Sequence, residues 1–72
     1  MRYIIGQHDG NEFPFDRGMY RAYFYWQQDG VEHSRSYSID ELEAHIQRCV
    51  ERGEPTTLLK TALEHLRLAN EE

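Results

Sequence analysis

The dipeptide Asp29-Gly30 constrains this chain more than any other feature, because it separates two strand-forming runs, YRAYFYWQQ and VEHSRSY. Asp-Gly in a two-residue loop is typical of a type I′ β-hairpin. Such a loop pairs Gln28 with Val31 and sets the register of the whole ladder. The further predicted pairs are Gln27–Glu32, Trp26–His33, Tyr25–Ser34, Phe24–Arg35, Tyr23–Ser36 and Ala22–Tyr37.

Alternation along the hairpin assigns its side chains to two faces. The face expected to pack inward carries Tyr20, Ala22, Phe24, Trp26, Val31 and Tyr37. The face expected to meet water carries Arg21, Tyr23, Tyr25, Gln27, Glu32, Ser34 and Ser36. His33 and Arg35 fall on the apolar face, so we expect them near an edge of the sheet, where their tips reach water.

A short strand and a loop precede the hairpin. Met1, Tyr3 and Ile5 alternate with Arg2 and Ile4, which is the pattern of a short strand, and Gly6 breaks the run. Residues 7–19 are rich in turn formers and predict a loop. Thirteen residues make a long loop, so we expect its aromatic residues, Phe13 and Phe15, to anchor it to the core.

The segment after the hairpin begins with a helix-capping pattern. In Ser38-Ile39-Asp40-Glu41 the serine hydroxyl can accept from the Glu41 amide, and the Glu41 side chain can reach back. The apolar residues Ile39, Leu42, Ile46, Cys49 and Val50 then recur at helical spacing. Gly53 supplies the stop signal.

A second helix is predicted after Pro55, which suits a first turn. Its leucines and alanines cover one side, and Leu68 points away from that side. The closing glutamates at positions 71 and 72 oppose the helix dipole, so we expect the last turn to fray.

These elements predict an α+β fold for residues 1–72, taken as one small domain. Three antiparallel strands are expected over about residues 1–6, 20–27 and 31–37, with helices over about 39–52 and 56–69 packed on one face of the sheet.

Charge limits the class of partner, and the cysteine count and the hydropathy limit the kind of protein. The net charge is −5, and eight of the thirteen acidic residues follow residue 38. Because neutralisation of phosphates supplies most non-specific affinity for nucleic acid, this balance disfavours DNA and anionic membranes and favours a basic protein surface. The single cysteine excludes an internal disulfide. No export signal or membrane-spanning run is present, so we expect a cytoplasmic protein.

No residue pattern indicates catalysis, a metal or a cofactor. His45 and Cys49 are four residues apart on the first predicted helix. A zinc site would need further ligands from His8, His33 or His65, and none of these forms a second spaced pair. Cys49 falls mid-helix on the buried side, where a thiol is unreactive. We therefore expect a protein that is not an enzyme and that holds no cofactor.

The outward hairpin face is the candidate binding surface. Tyrosine beside serine provides rigid amphipathic area with hydrogen-bonding neighbours, as in protein interfaces, although the same residues could simply stabilise the sheet. We expect a small acidic module that binds and modulates or inhibits a larger protein, a profile that fits small inhibitors carried by phages and other mobile elements. The expected contact residues are Tyr23, Tyr25, Gln27, Glu32, Ser34 and Ser36.

Two other functions stay open from the sequence. The aromatic face could stack the bases of a single-stranded nucleic acid, although Arg21 is almost its only basic residue. Alternatively, the chain could be a homo-oligomeric structural subunit, and in particular a homodimer formed along the second helix. The candidate interface residues for that pairing are Leu59, Leu63, Leu66 and Leu68.

Overall fold

Three strands are followed by two helices in the computed structural model, which describes residues 1–8, 12–14, 16 and 18–71. The elements are β1 (Arg2–Gln7), β2 (Tyr20–Gln28), β3 (Val31–Tyr37), α1 (Ile39–Glu51) and α2 (Thr57–Glu71). The strands form one antiparallel sheet in the order β1-β2-β3, so β2 is central. This confirms the predicted α+β fold.

The hairpin of β2 and β3 has the predicted register. Asp29 and Gly30 have φ values of 54° and 77°, as a type I′ turn requires. Gln28 pairs with Val31, and the ladder continues without a bulge to Ala22 opposite Tyr37. The assignment of side chains to two faces follows from this register.

The core lies between the sheet and the helices. α2 packs across β1 and β2, while α1 packs beside β3 and α2. The buried apolar residues are Ala22, Phe24, Leu42, Ile46, Cys49, Leu59, Ala62 and Leu66. Tyr3 adds a polar link, since its hydroxyl lies 2.7 Å from His65 Nδ1 on α2.

The serine cap and the glycine stop of α1 form as predicted, but the Glu41 side chain, expected to reach back to the cap, accepts from Arg21 instead. The Ser38 hydroxyl accepts from the Glu41 amide at 3.3 Å. At the other end Gly53 has a φ of 73°, its amide donates to the Val50 carbonyl, and the Glu54 amide donates to the Cys49 carbonyl. This pair of bonds is the Schellman motif, which requires the left-handed residue that glycine adopts at little cost.

The ends of α2 differ from the prediction. The helix begins at Thr57, two residues after Pro55. It continues to Glu71 instead of fraying near residue 69, because the Asn70 side chain accepts from the Tyr20 amide at 3.0 Å and donates to the Tyr20 carbonyl at 3.4 Å. A Cβ atom at Gly18 would overlap the Asn70 amide, so this contact needs glycine there.

The helices cover the inner face only as far as Phe24, and the hairpin tip extends past them. Val31 is 58% exposed and Trp26 is half-buried, although both were predicted to pack inward. Met1, which precedes β1, is also exposed, at 72%. The same geometry leaves His33 and Arg35 exposed, as predicted for polar residues on this face.

Candidate functional site

The predicted contact residues lie together on the side of the sheet that faces away from the helices. Tyr23 and Tyr25 are half-buried and stand opposite Ser36 and Ser34 on β3. β1 completes this surface, since Ile4 pairs with Tyr23 and is 55% exposed. We call it the tyrosine face and define it by Arg2, Ile4, Tyr23, Tyr25, Gln27, Glu32, Ser34 and Ser36.

An ion pair that joins the two edge strands lies over Tyr25. Arg2 pairs with Tyr25 in the register, and its guanidinium carbon lies 5.2 Å from the centroid of the Tyr25 ring. The same guanidinium donates to the Glu32 carboxylate at 2.7 Å. Arg2 therefore reaches across the central strand and restricts the ring from one side.

Tyr23 leans over β1. A Cβ atom placed on Gly6 would lie 3.1 Å from Cε2 of the Tyr23 ring, closer than ordinary contact. The absence of a side chain at Gly6 thus leaves room for the ring to rest on the neighbouring backbone. Both tyrosines are positioned by the fold before any partner binds, which lowers the entropic cost of binding.

One end of the outer face is closed by a buried arginine. Arg21 was predicted to meet water, but it is only 3% exposed. Its guanidinium donates to the Asp16 carboxylate at 2.7 Å, to the Ser36 carbonyl at 3.2 Å and to the Glu41 carboxylate at 3.1 Å. The Phe13 ring covers it, with its centroid 3.7 Å from the guanidinium carbon. These contacts replace water around a guanidinium that alternation alone predicts to be solvent-exposed.

The loop before β2 therefore has a different role from the predicted one. Phe13 was expected to anchor this segment to the core, but its ring lies on Arg21 and edge-on to His8 at 5.3 Å between centroids. The His8 Nε2 atom lies 3.0 Å from the Gly18 carbonyl and 3.3 Å from Asp16 Oδ2. The second predicted anchor, Phe15, lies outside the described residues.

The four leucines considered as an oligomer interface do not form one surface. Leu59 and Leu66 lie in the protomer's own core, at 7% and 0% exposure. Leu63 packs partly against that core, and Leu68 is 54% exposed on its own. These leucines are not available together because the wide apolar side of α2 packs against the sheet and α1.

His45 and Cys49 are neighbours on α1, with Nε2 3.8 Å from Sγ. Burial, and then Arg48 and Arg35, lower the pKa of His45. Burial, and then a hydrogen bond with Glu54, raise the pKa of the Cys49 thiol. Within the described ranges no three His, Cys, Asp or Glu residues lie close enough to hold a metal ion.

Comparison with known proteins finds no match among protein-family models, curated proteins or solved structures. Neither described helix is long and apolar enough to cross a membrane.

Sequence reasoning missed two members of the tyrosine face, Arg2 and Ile4. Alternation placed them opposite Tyr3 and Ile5, but no local signal gave the register of β1 against β2. The available signal was Ile4, a bulky apolar residue on the outward side of a strand. The buried state of Arg21 had no comparable signal, because it depends on a loop and a helix end that are distant in sequence.

Proposed function

We propose that this protein is a non-catalytic module that binds a larger protein through the tyrosine face. The observation that carries the proposal is the placement of Tyr23, Tyr25 and Ile4 in one contiguous patch away from the helices. Tyrosines held on a rigid sheet offer large contact area with little side-chain entropy to lose on binding. The neighbouring serines supply hydrogen bonds at the rim.

The charge of the tyrosine face favours a protein partner over a nucleic acid. Arg2 is already paired with Glu32, and Arg21 is buried against two carboxylates. A polyanion would have to displace these partners to reach either guanidinium. The competing function, stacking of single-stranded nucleic acid on the tyrosines, would therefore lack the cationic groove that such binding uses.

The tyrosine face carries little of the acidic charge of the protein. Glu43, Glu51 and Glu64 belong to the helices, whereas the tyrosine face carries one paired arginine and one paired glutamate. We infer that the contact patch of the partner is mainly apolar and polar. Basic residues around that patch would be attracted at long range by the acidic residues of the helices, which would raise the association rate. Such a module could block or modulate the partner by covering its surface.

The test compares two double variants, each of which truncates two large side chains. Tyr23→Ala/Tyr25→Ala truncates the tyrosine face, and Val50→Ala/Leu68→Ala truncates exposed residues of the two helices, each 54% exposed. Affinity capture with quantitative mass spectrometry should yield a protein that is retained by the helix variant and lost by the tyrosine variant. A photo-crosslinking residue at Ser34 should trap the same protein, and one at Leu68 should not.

Two results would contradict the proposal. Unchanged capture by the tyrosine variant would show that this face is not the interface. Binding of a labelled oligonucleotide that weakens steeply with salt would favour the nucleic-acid function instead.

A further inference from the structure

A second candidate site lies on the opposite side of the sheet, at the end that the helices leave uncovered. Here a pocket of about 290 Å³ opens between the hairpin and the two helices. Its floor includes the buried Phe24 and Leu59. Small-molecule sites usually occupy about 300–1,000 Å³, so this volume suits one ring with a short substituent.

Aromatic side chains form two walls of the pocket. Trp26 lines it and stacks on His33, with ring centroids 5.7 Å apart and planes 17° apart. Tyr37 lines it and stacks on His45 at 5.0 Å and 15°. These stacked pairs hold flat surfaces in place on both sides of Arg35, the residue between His33 and Tyr37 on the inner face of β3. Flat, fixed walls favour a planar ligand.

Arg35 brings a positive charge to the lining of the pocket. Among the described residues, no carboxylate forms an ion pair with its guanidinium. No carboxylate lines the pocket within the same part of the chain. Burial is the main cause of the lowered pKa of His45, and three arginines (48, 35 and 52) lower it further against one carboxylate, Glu54, so the charges nearest this lining residue are mainly positive. In a chain of net charge −5 this local excess runs against the average.

We propose that this pocket binds a small aromatic carboxylic acid, with its ring between Trp26 and Tyr37 and its carboxylate on the Arg35 guanidinium. An arginine fork matches the two oxygens of a carboxylate, and an apolar floor with aromatic walls accepts the ring. The site is separate from the tyrosine face, so the two proposals stand or fall independently.

Trp26 is the single tryptophan of the chain, and its indole N–H signal therefore reports directly on the pocket. Titration with 3-phenylpropionate should shift this signal with a Kd on the order of 0.1–1 mM. Propionate, which lacks the ring, and 3-phenylpropionamide, which lacks the charge, should shift it far less. The comparison separates recognition of the ring from recognition of the carboxylate.

Arg35→Gln should weaken binding of 3-phenylpropionate roughly tenfold, since a charge-assisted bond is lost. Arg67→Gln removes the same charge from α2 beside Glu43 and should leave binding unchanged. Arg35 is exposed, so its variant should keep the wild-type amide spectrum. Absence of any Trp26 shift at 10 mM ligand, a millimolar-scale ceiling for a specific site, would overturn the proposal. Equal binding of acid and amide, or equal binding by the Arg35 variant, would overturn it as well.

Discussion

At the scale of single residues, the burial of Arg21 is the feature that most distinguishes this sheet. A guanidinium on the uncovered side of a sheet normally reaches water, because the loss of its hydration is costly. Here Asp16, Ser36, Glu41 and Phe13 replace that hydration from a loop, a strand and a helix end. The residue thereby joins the loop before β2, the strand β3 and the first turn of α1.

Arg21→Met should destabilise the protein by about 2–4 kcal/mol, since it leaves the largely buried Asp16 carboxylate without its arginine partner. Arg2→Met is the matched control, because it removes an arginine from an exposed ion pair on the same face and should cost less than about 1 kcal/mol. Urea unfolding followed by circular dichroism measures both. If the free energy of unfolding fell equally in the two variants, burial would not make the Arg21 contacts more stabilising than an exposed ion pair.

At the scale of elements, each helix end is set by a local rule or by a distant contact. The α1 ends follow local rules, with Ser38 as cap and Gly53 in the left-handed conformation. The end of α2 depends on a contact between Asn70 and Tyr20, fifty residues apart. This difference explains why the α1 boundaries were predictable and the length of α2 was not.

Gly53→Ala should cost about 1 kcal/mol, because an alanine with positive φ is strained. A Cβ atom at Gly53 meets nothing within 4 Å, so crowding cannot contribute to that cost. Gly53→Asn should cost less, since asparagine tolerates this conformation. Thermal unfolding of the three proteins provides the measurement. An asparagine variant as unstable as the alanine variant would argue against backbone strain as the cause.

At the scale of the whole molecule, the sheet has a helix-covered side with an open pocket at one end and an uncovered side with tyrosines. His45 lies where α1, β3 and the turn after α1 meet, close to Tyr37, Arg35 and Glu54. Its protonation is therefore coupled to the packing of several elements.

The free energy of unfolding should fall as the pH drops below about 6.5, the ordinary pKa of histidine. Burial and nearby arginines lower the pKa of His45 in the folded state, so the unfolded chain takes up this proton first. The contribution is complete above pH 6.5 and is lost as the pH falls toward the folded-state pKa. Urea unfolding between pH 7.5 and pH 5, a range that brackets the histidine titration, measures the slope.

His45→Gln should give a shallower decline of stability over that range, and His33→Gln, a change at an exposed histidine, should keep the wild-type decline. A His45 variant whose stability falls as steeply as that of the wild type would show that another group carries the pH dependence.

The sequence by itself determined the features that arise from neighbouring residues. Asp29-Gly30 set the hairpin and its register, because a two-residue loop with positive φ at both positions allows only one alignment. Alternation then placed Tyr23 and Tyr25 on one side of β2 and Phe24 on the other. The Ser38 cap and Gly53 set the ends of α1 for equally local reasons.

Only the tertiary structure decided how far the helices cover the sheet and what replaces water around Arg21. Alternation assigns a side chain to a face, but its burial depends on whether another element reaches that point. Trp26 thus became a pocket wall and Val31 a surface residue, although both point to the apolar side. Leu59 and Leu66, which could have met a second copy, are buried inside the protomer for the same reason. Contacts between residues distant in sequence settle such questions, and no local pattern encodes them.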